Sequence, residues 1–470
     1  MAQSWARGEL EGAAVWDRRC VRNLVRLCER RFDQPQVSFS KALGDAVRQA
    51  AHRICSHSTT TVDGLLRGHF QQTAARARAA WAAQPDEPLL VSQDTTDFQY
   101  TSHPAKRGLG PVHADRKTHG LLAHAALVLP VVGVPVGLAH LSLWARDPEA
   151  HGKRRATYAR ACEATALKES QKWLDGLWGS EATLPPEIPL LVIADREADF
   201  FDLFAADRRP ATDLLVRSRH PRRVLVAAAG ETAEPPVGDQ LLPAVLAGAA
   251  RWGTVTVRVP RGPQRPAREA TLEVRVVEVW LQPTELKKAD DALGGRTPQR
   301  VRVVEARETE PPAGQQAVHW VLLTTRAVTT LAQAERLVFY YTRRWAIEEL
   351  HLVLKSGLAA ERLQIEEADT LKPTLALLYL VAWRVLSLRD TARWLPETPA
   401  AALVNAVEQQ VLEAAAGRPL PTARDVVGAL AQLAGFPRYP SAGEPGVRTL
   451  WEGLRRLEAA VFGWQLAQRS

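Results

Sequence analysis

Cysteine is scarce in this chain: Cys20, Cys28, Cys55 and Cys162 are the only four. None forms a CxxC pair or stands at zinc-ligand spacing, so they read as reduced, intracellular thiols. No signal peptide opens the sequence. The longest apolar stretch, residues 375–383, is too short to span a bilayer and is soon followed by Arg384 and Arg389. No GxxxxGKS/T segment occurs, which excludes a P-loop motor. The expectation is a soluble, cytoplasmic protein with no membrane partner and no nucleotide cofactor.

What is present points to a globular protein. Its 470 residues are 46% hydrophobic, enough for two or three domains with real cores. Net charge is +8 and the isoelectric point about 9.5, which favours a polyanionic partner. Arginine far outnumbers lysine, and a GC-rich genome produces the same bias. Composition therefore leaves nucleic-acid binding and codon usage as equal explanations.

Periodicity divides the chain. Residues 1–86 read as helical. Between residues 21 and 31, Val21, Leu24, Val25 and Cys28 line one side of a helix. Arg19, Arg22, Arg26 and Arg30 recur on the other, as a solvated basic face or a phosphate-contacting one. A second basic helix ends near Arg48 and Arg53, and the run Ser58-Thr59-Thr60-Thr61 offers an N-cap for a third. From Pro88 short apolar runs take over. Residues 89–93 read as a strand ending at Asp94, 121–130 and 134–144 as a meander, and 163–177 as a helix. Residues 190–194 read as a strand stopping at Asp195, and 214–216 as one ending at Arg217. The order β-β-β-α-β-α-β is a mixed α/β core. Residues 221–317 read as an inserted β-rich unit, with alternation at Val255, Val257, Val259 and at Leu272, Val274, Val276. Trp320 begins the return to the core. From 371 to 470 the pattern is helical again, as a separate domain.

Three carboxylates stand out: Asp94, Asp195 and Glu348. Two aspartates at the ends of neighbouring strands lie a few ångströms apart, and bare they would repel until one kept its proton. Two Mg²⁺ ions, or Mn²⁺ in their place, about 3.5–4 Å apart remove that conflict and want oxygen ligands. Glu348 lies in a helical segment where Tyr341, Arg344, Glu348 and Lys355 follow at intervals of three, four and seven. At about 100° per residue, all four fall within roughly 60° of one another on one helix face. A hydroxyl, a guanidinium, a carboxylate and an ammonium on one face suit a phosphodiester bound to divalent metal. Thr330 and Gln333 have capping-box spacing, and Gly357 is a natural stop. Glu349 points about 100° away from Glu348 and reads as an ion-pair residue. Asp97 and Asp199 stand near the metal candidates as supporting acids.

Taken together, Asp94-Thr95-Thr96, Asp195-Arg196-Glu197-Ala198-Asp199, the Tyr-Arg-Glu-Lys helix and the closing Leu450-Trp451-Glu452-Gly453 resemble the DDE transposases of the bacterial insertion-sequence-four family. The resemblance covers nearly the whole chain and is strongest over residues 320–363. It implies a ribonuclease-H-like catalytic core over 87–370 with a β insertion, an N-terminal domain over 1–86 that binds terminal inverted repeats, and a C-terminal dimerisation domain over 371–470. The implied partners are double-stranded DNA ends, target DNA and a second copy of the chain. The implied reaction is nicking, hairpin formation and resolution, and joining of 3′ ends. On that pattern Asp94, Asp195 and Glu348 are catalytic and metal-binding, while Tyr341, Arg344 and Lys355 grip phosphates. Arg217 matches a residue used at the hairpin. Trp320 matches an aromatic on which a flipped base stacks, with Trp345 lining the same pocket. Met1 is the only methionine, so no methionine serves as a wedge in the gap. The alternatives are a transposase-derived DNA-binding regulator without chemistry and a stand-alone nuclease. DNA binding through six to ten phosphates would weaken roughly 10³–10⁵-fold between about 50 and 200 mM salt.

Overall fold

The computed structural model describes residues 4–35, 38–113, 117–147, 169–226, 238–259, 267–283, 297–437 and 443–468. Four helices open the chain, α1 (Trp5–Leu10), α2 (Arg18–Asp33), α3 (Phe39–Cys55) and α4 (Val62–Ala82). Side-chain caps set three of their starts, with the Ser4 hydroxyl accepting from the Arg7 N–H at 3.2 Å at the first. The Asp17 carboxylate accepts from the Arg19 N–H at 2.8 Å, and the Thr61 hydroxyl accepts from the Gly64 N–H at 3.0 Å. α2 buries Leu24, Leu27 and Cys28 and leaves Arg19, Arg22, Arg26 and Arg30 exposed. Cys20, Cys28 and Cys55 are free and buried, and Cys162 lies outside the described residues.

The sheet begins with β1 (Leu89–Gln99), β2 (Gly110–Pro111), β3 (His119–Leu129) and β4 (Gly137–Trp144). β1 does not end at Asp94 as its apolar run suggests. β3 pairs with it antiparallel from Leu90↔Leu129 to Gln99↔Gly120, and those ladder bonds carry the strand on through polar residues. Helix α5 (Gln171–Thr183) occupies the later part of the expected 163–177 helix and runs beyond it; residues 163–168 lie outside the described residues. Then come β5 (Leu190–Ala194), a one-turn helix at Phe201–Phe204, and β6 (Thr212–Arg217). β5 runs parallel to β1 and β6 parallel to β5, giving the order β4-β3-β1-β5-β6.

The stretch 221–317 is rich in strands, but it is no separate unit. It contributes β7 (Arg223–Leu225), β8 (Asp239–Leu241), helix α6 (Leu242–Gly248), β9 (Arg251–Val259), β10 (Arg268–Leu281) and β11 (Gln299–Glu308). The returning strand β12 (His319–Thr324) pairs with both β6 and β11. One mixed sheet of twelve strands therefore spans core and insertion. The edge of β6 is filled by β12, with Leu322 opposite Arg217 and Leu323 opposite Val216.

Helices close the chain: α7 (Leu331–Arg343), α8 (Trp345–Leu352), a π-turn at Val353–Gly357, α9 (Ala368–Trp394), α10 (Ala406–Ala416), α11 (Ala423–Leu433) and α12 (Val447–Ala467). α9 is long and apolar enough to cross a membrane by length and composition, yet 89% of an apolar 18-residue window of it is buried inside the protein. Its apolar sides pack on α2, α3 and α4 as well as on α8, α11 and α12, so the C-terminal helices share a core with the N-terminal ones rather than standing apart. Truncating one of its buried leucines, such as Leu380, costs about 2–5 kcal/mol. The architecture is a mixed α/β fold, with one large sheet and helices at both ends of the chain. Strand alternation splits β1 between two cores. Leu90 and Phe98 face the α7–α9 side, and Leu89 and Val91 face α5.

A buried polar cluster fastens the opening helices to the sheet. The Glu9 carboxylate of α1 accepts from His69 Nδ1 at 2.5 Å and from Arg76 Nη1 at 2.6 Å, both on α4. His69 Nε2 accepts in turn from the Leu138 N–H of β4 at 2.9 Å. Arg76 lies 4.5 Å from the ring centroid of Trp383 on α9. Against the opposing pull of burial, His69 and Arg76 hold the Glu9 carboxyl at about 2.

Candidate active site

Strand register brings the two aspartates to one level. β1 and β5 pair from Leu89↔Leu190 to Ser92↔Ile193, and the same offset two residues on aligns Asp94 with Asp195. Adjacent strands stand about 4.8 Å apart, and level residues of parallel strands point to the same face. β5 stops at Ala194, where Asp195 Oδ1 accepts from the Glu197 N–H at 2.8 Å and starts a tight turn. Beyond Ser92 the β5 side of β1 is therefore no longer paired with β5.

Glu348 comes to the same face from α8. Ser92 Oγ donates to the Arg344 backbone carbonyl at 3.2 Å, which ties the start of that helix to β1 two residues before Asp94. Burial raises the carboxyl pKa of both Asp195 and Glu348, and the charge of Asp94 raises each further. The Glu197 amide opposes this at Asp195, and Arg344 opposes it at Glu348. Asp94 thus lies near both Asp195 and Glu348, and its charge works against the ionisation of each.

The signature residues gather around them. Arg344 pairs with Glu348 and lies 5.8 Å from the ring centroid of Tyr341. Burial works against the Arg344 charge, but Tyr341, Glu348 and Asp94 hold its pKa above the ordinary value. Burial lowers the pKa of Arg217, whose neighbours are Tyr341, Arg196 and Arg344. Its Nη2 donates to the His319 carbonyl at 3.0 Å. Trp320 meets Tyr341 edge-on, with centroids 5.5 Å apart. It is half-buried, so part of its ring stays open.

One expectation needs correction. Tyr341, Arg344, Glu348 and Lys355 do not share one unbroken α-helix: the helix is interrupted at Arg344, and residues 353–357 widen into a π-turn. There the Leu358 N–H donates to the Val353 carbonyl at 2.7 Å, and Lys355 Nζ lies 3.0 Å from Asp97 Oδ1. A Cβ on Gly357 would stand 2.6 Å from Cε3 of Trp451 on α12, so the π-turn fits only because Gly357 lets that ring approach. Trp345 is 53% exposed, and Trp320 makes its ring contact with Tyr341. On α2, Arg19 is paired with Asp17 at 2.6 Å and Arg30 donates to the Leu43 carbonyl, while Arg22 and Arg26 point to solvent. Glu349 pairs with Arg389 as expected. Asp199 accepts from the Arg219 N–H at 2.6 Å and pairs with Arg222, holding the loop after Arg217 rather than the carboxylates.

Sequence reasoning missed His351. Its Nδ1 lies 3.5 Å from Asp94 Oδ2, and its ring meets the buried Tyr379 edge-on at 6.2 Å. The signal was available: three residues past Glu348, His351 shares that residue's helix face.

Among the described residues, no three His, Cys, Asp or Glu side chains stand close enough to enclose a metal ion. The donor chemistry nevertheless fits Mg²⁺ or Mn²⁺. Asp94, Asp195 and Glu348 are hard oxygen donors, a divalent cation would relieve the repulsion of Asp94 with each of the other two, and Arg344 already supplies positive charge to Glu348. No protein-family model matches the chain, and the chemistry of the site is therefore inferred from its own residues.

Proposed function

We propose that this protein is a metal-dependent DNA transposase with a ribonuclease-H-like core, which cuts transposon ends through a hairpin and joins their 3′ ends to target DNA. The observation that carries the reading is the parallel register of β1 and β5, which continued two residues past Ser92↔Ile193 puts Asp195 level with Asp94, with Glu348 on a helix tied to β1. The order β4-β3-β1-β5-β6, antiparallel through β1 and parallel beyond it, supports a ribonuclease-H-like core. Two divalent ions held by Asp94, Asp195 and Glu348 would supply the activated oxygen nucleophile and stabilise the leaving oxygen. The chain's own part is binding and orientation. Arg344, Arg217 and Tyr341 would hold phosphates beside the carboxylates, and Trp320 would offer its free ring face to an extruded base. The basic face of α2 would track DNA further from the cut, and a second copy of the chain would pair the two ends. Mg²⁺ is the expected cofactor, with Mn²⁺ able to replace it.

The second reading is a transposase-derived regulator that binds DNA without cutting it. The pairing of Arg344 with Glu348 and of Lys355 with Asp97 favours it, because both leave signature cations engaged by acids. Cleavage of labelled DNA carrying the gene's own flanking sequence separates the two. Hairpin-ended products that require Mg²⁺ and vanish with EDTA, and with Asp94→Ala, Asp195→Ala or Glu348→Ala while end binding persists, support the transposase. Binding with no cut product under any metal or salt condition supports the regulator.

A further inference from the structure

We propose that Asp97 is a positioning residue that holds Lys355 in competition with DNA phosphate and so sets how tightly the cleavage site grips its substrate. The inference rests on the reading of Lys355 as a phosphate contact. Lys355 sits in the π-turn, and its Nζ lies 3.0 Å from Asp97 Oδ1. The two side chains are only 28% and 21% exposed, so the pair is partly shielded from solvent. The acid is itself fixed: Gln99 Nε2 donates to Asp97 Oδ2 at 2.7 Å, and His113 Nε2 stands 3.8 Å from the same oxygen. Asp97 follows Asp94 by three residues on the same strand, so one rigid element carries a triad carboxylate and the lysine's partner.

A phosphate reaching Lys355 competes with the Asp97 carboxylate, because two anions on one ammonium repel each other. That competition has a salt signature. Lys355 neutralising a phosphate releases a counterion from DNA, but the Asp97 carboxylate beside it offsets the lysine's charge and cuts that release. Asp97→Asn keeps the shape and removes the offset. Binding should then steepen, by up to about 0.9 in the slope of log affinity against log salt. It should also tighten about two- to fivefold, the scale of a partly exposed ion pair.

The test is titration of a labelled duplex carrying the gene's flanking sequence, in EDTA across a salt series, for the native protein, Asp97→Asn and Asp97→Ser. Alongside it, acylation of Lys355 is followed by mass spectrometry with and without that duplex. The expected result is protection of Lys355 by DNA in all three proteins, with tighter and steeper binding in both variants. If DNA does not protect Lys355, the phosphate-contact reading fails. If DNA protects Lys355 but neither folded variant tightens or steepens, that reading stands and the competition by Asp97 is refuted.

Discussion

Replacing Glu9 by Gln removes one charge from the cluster that fastens α1 and α4 to β4. The magnitude follows from the carboxyl's displacement: a group held at about 2 rather than 4.5 contributes about 3 kcal/mol at neutral pH. That figure is an upper one. Burial lowers the His69 pKa, and its Nε2 accepts from the Leu138 amide, so the ring is neutral at pH 7 and only Arg76 brings full charge. The folded pKa of Glu9 lies below its unfolded value. Its contribution is therefore complete above about pH 4.5 and is lost as pH falls towards 2. Hydrogen exchange of peptides from α1, α4 and β4 reads this locally, without requiring the whole chain to unfold in one step. At pH 7 Glu9→Gln should speed exchange of these segments roughly a hundredfold. Near pH 3 the gap should shrink by more than half. Equal gaps at the two pH values, or none at pH 7, would refute the assignment of this stability to the Glu9 charge.

Two further outcomes follow from the site. Gly357→Ala places a methyl against the Trp451 ring and should destabilise by about 1–3 kcal/mol, with Trp451→Leu relieving part of the cost; strict additivity of the two in thermal denaturation would contradict the contact. Asp195 and Glu348 have raised folded pKa values, first through burial and then through Asp94. Their contribution is present below the ordinary carboxylate values and is lost as pH rises from those values through the raised folded ones. The metal-free protein should therefore lose melting temperature over that window and regain it with Mn²⁺; a Mn²⁺ effect that survives in Asp94→Ala/Glu348→Ala would place the ion elsewhere.

Sequence patterns supported sound expectations where the physics was local. Thr61 caps α4, and Thr330 with Gln333 forms the capping box of α7, because those bonds close within three residues. Residues 190–194 form a strand because a short apolar run fits a sheet buried on both faces. The carboxylates at 94, 195 and 348 were legible from context, and the register places the two aspartates at one level. What sequence could not carry was set by distant partners. The polar half of β1 is a strand only because β3 pairs with it. The π-turn that turns Lys355 to Asp97 lies under Trp451, nearly a hundred residues further on. The pattern of 221–317 was read correctly as strands, but alternation does not say which sheet a strand joins.

The filling of β6 by β12 also has a cost in time. β6 ends at Arg217 and its outer neighbour begins at His319, so on the ribosome the strand is made about a hundred residues before its partner. At typical synthesis rates that interval is about 5–20 s. During it, a nascent α/β layer carries a bare edge with its N–H and C=O groups ready for any passing strand. Expression yield of this protein should therefore depend on how quickly residues 218–324 are translated, a constraint set by strand order and independent of whatever the finished site does.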